Sequence, residues 1–104
     1  MNTMALYSLA AALYVAGGAL MKASRGLTRI LPTVALVVLF AAGALVQAKA
    51  MRHQQMGSSY VVVLGLEALL AVIAGSVFFG EQVTAKMLTG VIFVVIGIVM
   101  LRLT

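Results

Sequence analysis

Residues 60–79 read YVVVLGLEALLAVIAGSVFF, and the fold follows from how that stretch is solvated. A helix crosses a bilayer with about 20 mostly apolar residues. Tyr60–Phe79 supplies them with a single charged interruption, Glu67. A carboxylate at bilayer depth costs roughly 2.5–3.5 kcal/mol on insertion scales, and such groups face a protein interior or a cavity. Glu67 is therefore the first candidate for a functional group. The chain's other acid, Glu81, lies just past the run, at a helix end.

The rest of the chain repeats the apolar pattern. It is 64% hydrophobic and 9% charged, where a soluble domain averages about 45–50% apolar and about 25% charged. Lipid must be the solvent for most of this surface. Apolar segments fall at about 4–21, 33–49, 58–79 and 87–103. They predict an all-α integral membrane protein, one four-helix transmembrane domain over residues 1–104, because backbone groups in lipid must pair within their own segment. The first stretch has the length of a signal peptide. It lacks a basic segment ahead of it and three similar stretches follow, so it reads as the first span.

Connections are short. Lys22, Arg25 and Gly26 end the first span, with cations and a glycine where a helix carboxyl end favours them. Pro32 suits the first turn of the second span, where its missing N–H has no intrahelical partner. Residues 49–57 form a polar loop, and Gly80-Glu81-Gln82 separates the third span from the fourth.

The absence of cysteine excludes disulfides, thiolate metal sites and cysteine nucleophiles. The single histidine, His53, falls in a loop and argues against a metal cluster. No nucleophile–base pair is visible, so neither an enzyme nor a cofactor is expected. A net charge of +5 raises the question of nucleic acid, but the basic residues are scattered between spans and read as interfacial anchors. Lys49, Arg52 and Arg102 lie on the side of the N-terminus; Lys22, Arg25, Arg29 and Lys86 lie on the other. So even a distribution gives the positive-inside rule little to act on. Insertion in both orientations, and an antiparallel dimer, are the expectation.

Four short helices do not easily enclose a solute path alone, which also points to an oligomer. Gly90 and Gly97 share a face of the last span and fit close helix packing between subunits. Ala71 and Gly75 form a less specific pair of the same kind. In the third span Tyr60, Val63, Leu64, Glu67, Ala71 and Ala74 share a face, with the profile of a cavity wall. Tyr7 and Tyr14 share a face of the first span, with Ala11 between and Gly18 beyond. Converging tyrosines attract an organic cation by about 0.5–2 kcal/mol each; near the span ends, Tyr7 and Tyr60 equally suit interfacial anchoring. Hydrocarbon disfavours an ionised carboxylate. Glu67 thus has the minimum chemistry of proton/cation exchange, being an acid that either ligand neutralises but not both at once. The alternative is a structural Glu67 hydrogen-bonded to a neighbouring helix. Glu81 reads as an interfacial cap or a loop ion pair.

The stretch Leu20-Met-Lys-Ala-Ser-Arg-Gly-Leu-Thr-Arg-Ile-Leu-Pro32 resembles the first loop of the small multidrug resistance family, within the drug/metabolite transporter superfamily. So do Tyr60, Gly65, the Phe78-Phe79-Gly80 junction, and Gly90 with Gly97. The likeness covers nearly the whole chain. It implies a multi-pass protein of the inner (plasma) membrane, working as an antiparallel dimer that exchanges protons for lipophilic or guanidinium-like cations. It also implies a glycine face on the last span that holds the dimer and an aromatic-lined pocket. One departure stands out. The family's coupling glutamate lies in the first span, where this chain has Tyr14. A phenol, with a reference pKa of about 10, is no substitute for a carboxylate near pH 7. Val63 matches the third-span tryptophan of the drug exporters, and Glu67 falls on the second glycine of a flexible motif that begins at Gly65. The expected site is therefore Glu67 with Tyr14, Tyr60, Tyr7 and Val63, serving an exporter of cationic or amphiphilic solutes. Two alternatives are a subunit of an unlike pair whose partner supplies the first-span acid, and a translocator of lipids or lipid-linked sugars.

Overall fold

A computed structural model of the chain describes residues 2–103. Four helices follow one another: α1 (Thr3–Ala23), α2 (Ile30–Ala50), α3 (Met56–Phe79) and α4 (Ala85–Leu103), with a single 3₁₀ turn, Met51–His53, continuing α2. Each is long and apolar enough to cross a membrane. The helices begin one to three residues earlier than apolar content alone indicated. Asn2 caps α1, its side chain accepting from the N–H of Ala5 at 2.7 Å. Thr84 caps α4 in the same way, accepting from Met87 N–H at 3.1 Å. Pro32 sits in the first turn of α2, where no backbone donor is needed.

The outside of the bundle is apolar: Leu31 is 83% and Phe78 76% exposed, whereas Ser24 and Ser59 are each 1% exposed. Hydrocarbon allows that arrangement: an outward leucine loses nothing in lipid, and an outward hydroxyl finds no partner. α1 is central, packed on α2 and on α3, whereas α4 leans on α3. Small residues permit the close contacts. A Cβ on Gly17 would come within 2.8 Å of the Phe40 ring, and one on Gly43 within 2.7 Å of the Tyr14 ring. The core gathers Tyr7, Ala10, Ala11, Ala50, Val62 and Val63. α4 has no buried residue at all, and among the described residues no atom of another helix lies within 4 Å of a Cβ at Gly90 or Gly97.

Both turns on the Lys22 side are built around left-handed residues. α1 ends at Ala23, and Arg25, Gly26 and Leu27 follow with φ of 50°, 70° and 71°. Gly26 is thus the middle of a left-handed run rather than the residue that stops the helix. Ser24 ties the run together: its hydroxyl donates to Met21 O at 2.7 Å and accepts from Leu27 N–H at 3.2 Å. At the end of α3, Gly80 (φ 63°) takes the left-handed conformation that glycine adopts at least cost. The next N–H, of Glu81, then returns to Gly75 O at 3.1 Å.

Candidate functional site

A groove of about 200 Å³ runs between α1 and α3. Small residues of both helices open it: Gly18 and Ala19 on one side, Ala71, Ala74 and Gly75 on the other. Tyr14 and Glu67 line one part, and Lys22, Phe79 and Glu81 line the part toward the helix ends.

Glu67 is partly buried and accepts no hydrogen bond among the described residues. Neither a backbone donor nor a neighbouring helix claims its carboxylate, so both oxygens are free for a ligand. Tyr14 is held differently. Its hydroxyl donates to Gln47 Oε1 at 2.7 Å. Its ring stacks on Phe40 with centroids 5.7 Å apart and planes 27° from parallel, and bare Gly43 lies against one edge. Ring and hydroxyl are thereby fixed against α2, and the Tyr14 side chain walls the groove. Gln47 is 6% exposed, and its Nε2 is a buried donor without a partner.

The other residues expected at the site do not line the groove, although Tyr60 lies close enough to Tyr14 to interact with it electrostatically. Tyr7, 1% exposed, shares a hydrogen bond with Ser59 Oγ at 2.5 Å; it ties α1 to α3 inside the core. Val63 is 1% exposed in that same core, while Tyr60 is 48% exposed and neither lines the groove. The face predicted on the third span therefore splits. Glu67, Ala71 and Ala74 turn to the groove, Val63 to the core, and Leu64 toward α4 with Gly65, Val94 and Ile98. Gly65 is a packing position, since a Cβ there would collide with Ile98.

At the outer end of the groove Lys22 and Glu81 form an ion pair, and the Lys22 ammonium lies 4.7 Å from the centroid of the Phe79 ring. Sequence reasoning gave Glu81 an ion pair without naming its partner. The signal was present: Lys22 closes the first span and Glu81 follows the third, which puts both at the same membrane face. Among the described residues no three histidines or acids converge to hold a metal.

The family model described as Small Multidrug Resistance protein matches residues 2–96. The chain is similar to the quaternary ammonium compound-resistance protein QacC of Staphylococcus aureus, 24% identical over 89 residues that cover 86% of this chain and 83% of that one. It is 28% identical to the corresponding QacH of Staphylococcus saprophyticus over 85% of this chain and 82% of that one. With the guanidinium exporter of Escherichia coli it shares 31% identity over 81% of this chain and 80% of the exporter.

Proposed function

The chain belongs to the small multidrug resistance family, and we propose that it exports a small cationic or amphiphilic molecule in exchange for protons, with Glu67 as the acid both compete for. Membership makes it a multi-pass inner-membrane efflux transporter rather than an enzyme. The finer assignment rests on the groove. Glu67 carries it: the acid lines the groove, and among the described residues no group hydrogen-bonds its oxygens. A carboxylate in such surroundings is stabilised by neutralisation. An arriving cation provides it, and so does a proton, and each displaces the other. Tyr14 faces the same space with a fixed ring, which favours an organic cation through its π-face. The relatives' names, a guanidinium exporter and quaternary ammonium resistance proteins, point to the same class of solute.

A dimer completes the reading. α4 has no buried residue, and the open space at Gly90 and Gly97 gives a second copy a surface on which backbones approach closely. One observation favours a second possibility, a partnership with a related subunit. Tyr14 occupies the position of the family's first-span acid, and its hydroxyl is already committed to Gln47. A related subunit would then supply the acid this chain lacks there.

Reconstitution into vesicles with an imposed proton gradient tests the assignment. The unmodified chain alone is expected to exchange guanidinium or a quaternary ammonium ion for protons, and Glu67→Gln to abolish exchange while the protein still assembles. Coupled exchange retained by Glu67→Gln refutes the role of Glu67. Exchange that appears only with a related subunit present selects the paired arrangement.

A further inference from the structure

We propose that Glu81 and Phe79 form a second cation-binding station at the outer end of the groove, and that the Lys22 ammonium is its built-in occupant, displaced when a solute cation takes the place. The part that concerns a travelling solute rests on the export function proposed above; the station itself does not.

Three backbone features put the Glu81 carboxylate where it is. Gly80 turns the chain through a left-handed residue. The Glu81 N–H bonds back to Gly75 O at 3.1 Å. Gly75 has no side chain, and a Cβ there would run into a carboxylate oxygen of Glu81. The acid therefore lies back along α3 and stays about half-exposed. It rests about two helical turns, roughly 12 Å, from Glu67 along the helix axis. Beside it is the Phe79 ring. A carboxylate next to an aromatic face is a site for a monocation, which gains charge-assisted hydrogen bonds from one and quadrupole attraction from the other. Lys22 fills that site with its own ammonium, ion-paired to Glu81 and set 4.7 Å from the Phe79 centroid.

Magnitude separates an exchangeable occupant from a permanent brace. The Lys22 and Glu81 side chains are 53% and 49% exposed, and water screens so exposed a pair that it is only weakly held. A competing cation needs little advantage to replace it. Because Lys22 belongs to α1 and Glu81 to the end of α3, the pair crosses the groove at its outer end. Releasing Lys22 both empties the station and parts the two helix ends there. The chain's two acids, Glu67 and Glu81, then stand as successive stops along one groove.

The chain's composition supplies the test. Glu67 and Glu81 are its only acidic side chains, so in a Glu67→Gln protein selective carboxyl-13C glutamate gives one side-chain resonance, that of Glu81. The full chain in lipid nanodiscs is titrated with n-butylammonium, which reproduces the lysine head and stem. In Glu67→Gln/Lys22→Ala the Glu81 signal is expected to shift saturably. Restoring Lys22 should weaken binding about threefold, and Phe79→Leu should weaken it by a similar factor. No saturable shift, or equal affinity with and without Lys22, overturns the proposal. Should Lys22→Ala fail to fold, the Glu67→Gln chain with Lys22 present still decides: butylammonium must move the Glu81 carboxyl and the Lys22 15Nζ signals together, and movement of neither refutes displacement. Every protein in this series lacks Glu67, so the outcome is separate from whether Glu67 couples export.

Discussion

Tyr14 donates its hydroxyl proton to Gln47 Oε1 at 2.7 Å, and in doing so leaves the Gln47 Nε2 buried and unpartnered. Tyr14 is thus part of a neutral tie between α1 and α2. Tyr14→Phe keeps the ring on Phe40 and removes the bond, stranding both ends of the amide. The expected loss is about 1 kcal/mol, the usual scale of a hydrogen bond between membrane helices, measured as reversible unfolding in detergent. Adding Gln47→Leu should restore most of it, since removing both partners costs far less than orphaning one. Exchange activity should survive both changes.

The Tyr14 ring depends on bare Gly43. An added Cβ would sit 2.7 Å from one ring carbon and 2.9 Å from another, so Gly43→Ala must move either the tyrosine or α2. Overpacking of this kind costs typically about 1–3 kcal/mol. Gly17→Ala meets Phe40 in the same way, at 2.8 Å. Gly18→Ala meets nothing and should unfold within a degree or two of the unmodified chain. Similar melting temperatures for the alanine variants of Gly43 and Gly18 would contradict this packing.

Tyr7→Phe separates two roles the sequence left open. Its hydroxyl bonds Ser59 inside the core, away from the groove. The variant should lose about 1 kcal/mol of stability and bind solute cations with unchanged affinity, as read by calorimetric titration. A several-fold drop in affinity at constant stability would place Tyr7 at the solute instead.

How much of this was legible beforehand depended on the range of each interaction. The run at 60–79, Pro32 and Gly80 act over a few residues, and from them the four helices and their order could be read. The stretch from Leu20 to Pro32 carried the family. Partners distant in sequence were not readable: Tyr7 and Ser59 are 52 residues apart, and Lys22 and Glu81 are 59 apart. Helical periodicity grouped Tyr60, Val63 and Glu67 on one face, but a face is a broad arc. Packing against α1 drew Val63 into the core and left Tyr60 48% exposed. A moment-based reading fails for a second reason: these helices are apolar nearly all round, so lipid-facing and protein-facing sides look alike.

Helix α4 should report assembly separately from folding. Among the described residues no atom of another helix comes within 4 Å of a Cβ at Gly97, whereas one at Gly65 meets Ile98 and Val94. Gly97→Leu is therefore expected to leave helical content intact and to shift the protein toward monomer in crosslinking and size-exclusion measurements. Gly65→Leu should disturb α3 and α4 within the subunit and lower its melting temperature. An unaltered dimer in Gly97→Leu would move the interface off this face.

Competition at one acid has a signature in pH. If proton and solute exclude each other at Glu67, the protonated form does not bind, and the apparent affinity is the intrinsic one scaled by the ionised fraction. On the acid side of the carboxyl's titration, the apparent Kd should rise about tenfold per pH unit; on the alkaline side it should be flat. By linkage, each cation bound there releases one proton on the acid side. Calorimetry in buffers of different ionisation enthalpy measures that proton directly. Glu67→Asp keeps an acid one methylene shorter, so it should keep the slope and the proton release while its plateau affinity falls. Glu67→Gln should show neither slope nor release. A steep pH dependence that persists in Glu67→Gln would mean that another group carries the proton. Glu81, the one remaining acidic side chain, would be the first to examine.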